Sequence, residues 1–222
     1  MEKGLLAQRY AAVKAGLPPH VALVAVSKTR TAREVQALYD LGHRDFGENY
    51  PQELREKAPQ LPDDVRWHFI GHLQRSNVRH VLPFVHLVHG VDSARLLDEI
   101  EKRAAAMERT VHVLLQMHIA RESTKHGLTA EEARALVHSA HDRAPWPHVR
   151  LRGLMGMATN TPDEAQVAGE FNGLRTLFHE LRTAHGEPGF DTLSMGMSGD
   201  APIAIAAGST MVRIGTAIFG ER

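Results

Sequence analysis

The sequence predicts an α/β fold, a single TIM-type (β/α)8 barrel, and three observations carry that expectation. Eight short apolar runs recur along the chain, amphipathic segments of helical spacing separate them, and 222 residues suit one such barrel. Alternation of strand and helix calls for a parallel sheet. Eight strands favour closure over an open, doubly wound sheet. One domain, residues 1–222, is expected, with no linker or low-complexity segment.

Each element has its own signal. The opening stretch Met1 to Tyr10 has no long apolar core and reads as an extra N-terminal helix, not a leader peptide. The first strand is Val21 to Val26. Thr31-Ala32-Arg33-Glu34 is a capping box: the threonine hydroxyl and a glutamate three residues later satisfy free amides of a first helical turn. Val35, Leu38 and Leu41 then fall on one face, and Gly42 is the expected stop. Strands two to five are Arg44 to Gly47, Arg66 to Ile70, Val85 to Val88 and Val111 to Met117. A second box, Thr129 to Glu132, starts the helix after strand five. A third, Thr161 to Glu164, follows strand six (Val149 to Leu154), with Pro162 at the first helical position, where its missing N–H costs nothing. Strands seven and eight are Thr192 to Ser194 and Met211 to Ile214. Little chain follows, so no final helix is expected, and the N-terminal helix would fill that gap in the outer ring.

Composition narrows the function. Lys+Arg and Asp+Glu both total 26, so no net charge draws the chain to nucleic acid or an acidic membrane. No run approaches the length of a membrane span. The absence of cysteine excludes disulfides, thiolate metal sites and cysteine nucleophiles. With no address signal, a cytoplasmic location is the default expectation.

In such a barrel, ligands meet the carboxyl ends of the strands. Lys28 ends strand one. A lysine there either reaches out to solvent along its apolar stem or, partly desolvated, becomes a nucleophile for carbonyls. Five other lysines (Lys3, Lys14, Lys57, Lys102 and Lys125) compete with it, and the first four sit in helical stretches that read as solvated faces. Ser198-Gly199-Asp200 after strand seven and Gly215-Thr216 after strand eight offer amides, hydroxyls and close backbone approach to an anion, although glycine at a strand end is also ordinary turn chemistry. Together these features point to a phosphorylated aldehyde held at both ends, and pyridoxal 5′-phosphate is the common molecule of that description. Arg213 on strand eight is always a donor. Against a pyridine nitrogen it would leave that nitrogen unprotonated and the ring a poorer electron sink; the alternative is a pairing with an acid across the barrel.

At the level of whole motifs the chain resembles the pyridoxal phosphate homeostasis proteins. The resemblance is carried by Ala25-Val26-Ser27-Lys28-Thr29, Phe46-Gly47-Glu48-Asn49-Tyr50, the run from Trp67 to Gln74, Lys125-His126-Gly127, Arg152 to Met155, Leu193 to Ser198, and the long run from Ala204 to Gly220. It implies a barrel like the N-terminal domain of alanine racemase and pyridoxal 5′-phosphate as the bound cofactor. It implies that Lys28 forms the Schiff base and Arg213 faces the pyridine nitrogen. Ser198, Gly215 and Thr216, with Ser209, would hold the phosphate, Asn49 would lie beside the ring, and Lys125 would be a secondary contact. Two departures fall at the rim: Ser76-Asn77 where the family reads Asn-Lys, and His118 where it often has Asn.

The function expected on this resemblance is intracellular cofactor homeostasis: a carrier or reservoir that protects a reactive aldehyde and supplies apo-enzymes. The alternative is an amino-acid racemase, which needs acid–base groups on both faces of the ring. Its relatives take one of these, a tyrosine, from a second domain, while here only Tyr50 lies near the predicted mouth. Lack of that domain also favours a monomer. Fifteen histidines include the pairs His68/His72, His86/His89 and His138/His141, but no glutamate or cysteine completes a metal motif and no metal is expected.

Overall fold

Eight parallel strands close on themselves in chain order in this computed structural model. It describes residues 3–122, 126–141, 145–186 and 188–221. The strands are β1 (Ala22–Val26), β2 (Asp45–Glu48), β3 (Arg66–Phe69), β4 (Val85–Val91), β5 (Val111–Met117), β6 (Val149–Gly156), β7 (Thr192–Ser194) and β8 (Met211–Ile214). The helices are α1 (Lys3–Ala15), α2 (Ala32–Tyr39), α3 (Pro51–Lys57), α4 (Val78–Val81), α5 (Ala94–Ala106), α6 (Ala130–His141), α7 (Glu164–His185), α8 (Ala201–Ala206) and α9 (Thr216–Phe219). Closure is made by β1 against β8, with Val24 opposite Arg213. The chain therefore has the barrel architecture that its pattern of eight strands predicts.

The apolar core lies between the sheet and its jacket of helices. Phe46 and Phe69 from the strands, and Val35, Leu97, Ile100, Phe171 and Leu174 from α2, α5 and α7, are all at most 1% exposed. Each such side chain contributes about 1.5–3 kcal/mol by leaving water. Gly153 on β6 sits at φ +142°, and a Cβ there would collide with the Thr192 carbonyl of β7. A side chain at that point would part the two strands.

Two capping boxes form as expected, at Thr31/Glu34 and at Thr129/Glu132. The third does not. Asp163 is the N-cap of α7 and accepts from the Gln166 amide, which leaves Thr161 and Pro162 outside the helix. A carboxylate two positions nearer the helix outcompetes the threonine. Leu41 is exposed because α2 ends at Tyr39, two residues before the helical pattern would carry it inward. A final helix does exist: the single turn α9, whose Phe219 and Ile218 are buried, and α1 packs against it.

Candidate functional site

At the carboxyl end of the barrel, a cleft of about 300 Å³ opens between the ends of β1, β7 and β8. Lys28 and Arg30 line it from the β1 loop, Asn49 and Ile70 from the ends of β2 and β3, and Ser198, Gly199, Gly215 and Thr216 from the last two loops. Arg213, Val26, Met157 and Met197 complete it. Six of the seven residues expected around the cofactor are thus brought together.

Lys28 is half-buried and follows a braced strand end. Ser27 is fully buried and its Oγ donates to Glu48 Oε1 at 2.6 Å. The Lys57 ammonium on α3 donates to the Ser27 carbonyl, Glu48 Oε1 and Glu53 Oε2 at 2.9, 2.8 and 2.7 Å. Thr29, at φ 63°, is held in a left-handed turn that a β-branched residue seldom adopts, and its amide donates to Glu53 Oε2. Burial pushes the Glu48 carboxyl up to about 7 against the opposing pull of Lys57 and Ser27. Lys57 is accordingly not a solvated surface lysine but the buried clamp of this corner. Helical periodicity alone gave it an outward face; a carboxylate on the neighbouring strand brings it in.

The opposite wall offers hydroxyls and bare backbone. Ser198 Oγ and Thr216 Oγ1 lie 3.2 Å apart. An added Cβ on Gly215 would press on Val26 at 3.3 Å, so the glycine keeps the wall open. Asp200 turns its carboxylate to the Met197 amide at 2.6 Å, which fixes the loop carrying Ser198. Ser209 is not in the cleft. It is buried, and its hydroxyl is taken up by the carbonyls of Leu193, Met195 and Met211, where it ties β7 to β8. Motif position alone placed it with the phosphate-site residues.

Arg213 is buried and, among the described residues, forms no ion pair, although the Asp200 charge acts on it. Its Nη1 donates to the Ser194 carbonyl and Oγ at 2.8 and 2.7 Å, and Nη2 donates to the Gly156 carbonyl at 3.1 Å. Burial lowers its pKa to about 10, so it stays cationic at neutral pH. Asn49 Oδ1 is buried and has no hydrogen-bond partner, an acceptor left open at the edge of the cleft.

Arg30 is the cleft cation that sequence reading missed, although it lies two residues from Lys28. It donates to the Gly220 carbonyl and spans α2 and the C-terminal turn. Lys125 lies outside the described residues. Of the first histidine pair, His68 lies inside the barrel and His72 at its mouth. His72, Asp92 and His126 place donor atoms within 4.8 Å of one another. The two rings are stacked, with centroids 4.2 Å apart and planes 19° from parallel. The two imidazoles form a stacked pair beside the Asp92 carboxylate, which lies 3.3 Å from His72 Nδ1.

A family model described as the N-terminal domain of alanine racemase matches residues 3–222. The chain is 40% identical over 216 residues to the pyridoxal phosphate homeostasis protein of Pseudomonas aeruginosa, covering 96% of this chain and 90% of that one. It is 42% identical over 212 residues to the protein of that name from Bos taurus, covering 90% and 77% respectively. Among solved structures, PipY of Synechococcus elongatus with pyridoxal phosphate bound superposes with a TM-score of 0.88 at 33% identity, over 97% of this chain and all of that one. Alanine racemase of Clostridium difficile, at 13% identity and a TM-score of 0.81, shares the fold over 57% of its own length.

Proposed function

From the premise that the chain belongs to the alanine racemase N-terminal domain family, and within it to the pyridoxal phosphate homeostasis proteins, we propose that it binds pyridoxal 5′-phosphate and serves its homeostasis. The observation that carries this reading is the content of one cleft. A lysine amine, a pair of hydroxyls 3.2 Å apart and a buried guanidinium line the same 300 Å³. They match the aldehyde, the phosphate and the ring nitrogen of the cofactor. The open acceptor of Asn49 fits a ligand that brings its own donor.

In this reading Lys28 holds the aldehyde carbon reversibly, with loss of water. Ser198, Thr216 and the Gly215 backbone hold the phosphate. Arg213 donates to the ring nitrogen and keeps a proton off it. When bound, the cofactor supplies an electrophilic carbon and an electron-accepting ring, and a donor at the nitrogen weakens the second of these. That favours storage over carbanion chemistry. Among the described residues no tyrosine lines the cleft, and Tyr50 is half-exposed at its rim, so a racemase with a tyrosine base is the less supported reading. Supply to apo-enzymes, action as a monomer and a cytoplasmic setting belong to the same proposal. Among the described residues no helix is long and apolar enough to cross a membrane.

The test is uptake followed by borohydride reduction and peptide mass mapping. Wild type should gain an absorbance band and a mass fixed on the Lys28 peptide; Lys28→Ala should lose both. Absence of uptake by wild type would sink the reading, and trapping on another lysine would sink the assignment of Lys28.

A further inference from the structure

A line of polar side chains crosses the interior of the barrel. It begins at Arg213 Nη1, which donates to Ser194 Oγ at 2.7 Å. Ser194 Oγ lies 3.2 Å from His89 Nδ1. His89 Nε2 lies 3.0 Å from His68 Nδ1, and His68 Nε2 lies 3.1 Å from Asp45 Oδ1. β4 and β7 are not neighbours in the sheet, so the contact of His89 with Ser194 is made across the lumen. His68, His89 and Ser194 are at most 2% exposed. Asp45 closes the line at the far end of the barrel, where Arg66 also binds it.

The chemistry of the two ends fixes the protons between them. Arginine only donates and an ionised carboxylate only accepts. Burial opposes ionisation of Asp45, but hydrogen bonds from Arg66 and His68 outweigh it and hold the carboxyl well below the usual range. His68 must therefore carry its proton on Nε2, toward Asp45. If His68 is neutral, its Nδ1 accepts from His89 Nε2–H. The Nδ1 of His89 then accepts the Ser194 hydroxyl proton, and the Ser194 oxygen accepts from Arg213. Every polar atom on the line is satisfied without a charged imidazole. The reverse order needs an imidazolium at His68 and leaves the Ser194 proton with no acceptor on the line. Burial, with the Arg213 charge beside it, holds His89 neutral, as the first arrangement has it.

We infer that this line carries a single proton arrangement, each donor aimed from the cleft toward Asp45, and that His89 and His68 are positioning residues that orient Arg213 through Ser194. A hydroxyl that has given its proton to His89 is committed as an acceptor to the guanidinium. The guanidinium is then locked in the rotamer in which it lines the cleft. The part of the inference that concerns the ligand rests on the pyridoxal phosphate reading; the proton arrangement does not.

Two measurements test it. In ligand-free protein, long-range ¹H–¹⁵N NMR reads the imidazole tautomers. The expected result is a neutral Nε2–H form at both His68 and His89. An Nδ1–H tautomer at His89, or a charged His68, overturns the arrangement whether or not the cofactor binds. Second, His89→Phe keeps a ring but breaks the line. It should weaken pyridoxal phosphate binding about tenfold and move the absorbance maximum of the bound form, while borohydride still traps Lys28. Unchanged affinity and spectrum overturn the positioning role. If His89→Phe does not fold, Ser194→Ala removes one hydroxyl and must show the same spectral change in smaller degree. Failure of wild type to take up the cofactor at all would defeat the ligand reading and leave the tautomer result to decide the rest.

Discussion

The two faces of the same sheet are built on opposite plans. The outward face is an apolar jacket: Phe46, Phe69 and their helical partners are excluded from water and bonded to nothing in particular. The inward face holds a small apolar plug of Leu87, Leu114 and Met155, and beside it the line of Asp45, His68, His89, Ser194 and Arg213. Apolar burial is non-directional and tolerates exchange at constant volume. Buried polar groups are costly unless each hydrogen bond is made, so their positions are fixed. The difference teaches that this barrel stores stability outside the sheet and ligand-facing precision inside it.

The largest effect that would sharpen this division is on the jacket. Phe171→Ala empties a site that is fully buried and should cost about 3–5 kcal/mol. In a chain of this size that is roughly a 10 °C fall in melting temperature. Cofactor uptake per folded molecule should not change, nor its absorbance maximum. A shifted spectrum in Phe171→Ala would break the division, because the jacket would then be setting the geometry of the cleft.

The next effect comes from an ion pair buried in the jacket, Glu48 with Lys57. Burial raises the Glu48 carboxyl to about 7 from its ordinary 4.5. A carboxyl whose folded pKa is raised favours the folded state while protonated. That contribution is complete below the unfolded pKa and is lost as pH rises through about 7. The stability of wild type relative to Glu48→Gln should therefore decline between about pH 5 and pH 8, by at most about 3 kcal/mol. Denaturation by urea across that range reads it. A flat difference would show that Lys57 keeps the carboxylate ionised throughout.

These contrasts also explain what was legible in the sequence. Strand order and the Thr31 and Thr129 caps are local in the chain, so period and capping motifs found them. The cleft was legible because Lys28, Ser198, Arg213, Gly215 and Thr216 all follow or end strands, and the barrel sends every strand end to one face. The interior line was not. His68, His89 and Ser194 are separated by up to 105 positions between direct contacts, and each is flanked in the chain by non-polar residues. Their partners are set by closure of the sheet, which no local pattern reports. Lys57 was missed for the same reason, since helical periodicity cannot see the carboxylate of a strand nine residues away.

The smallest effect is the most discriminating, because it separates nearness in sequence from nearness in the fold. Thr31 lies three residues past Lys28, yet it caps α2 on the jacket side. Its hydroxyl accepts from the Glu34 amide, and Glu34 Oε2 accepts from the Thr31 amide and hydroxyl at 2.8 and 2.9 Å. Burial works against the Glu34 carboxylate, but these bonds and Arg30 prevail and hold its pKa below the ordinary value. Thr31→Ala removes the cap and should cost about 1 kcal/mol, a shift of roughly 2–4 °C. If jacket and lumen are separate, the absorbance of the bound cofactor and its trapping on Lys28 stay as in wild type. A change in either would mean that the turn after Lys28 is held by α2 itself. The brace of Ser27, Glu48, Lys57 and Glu53 would then be insufficient to place the lysine.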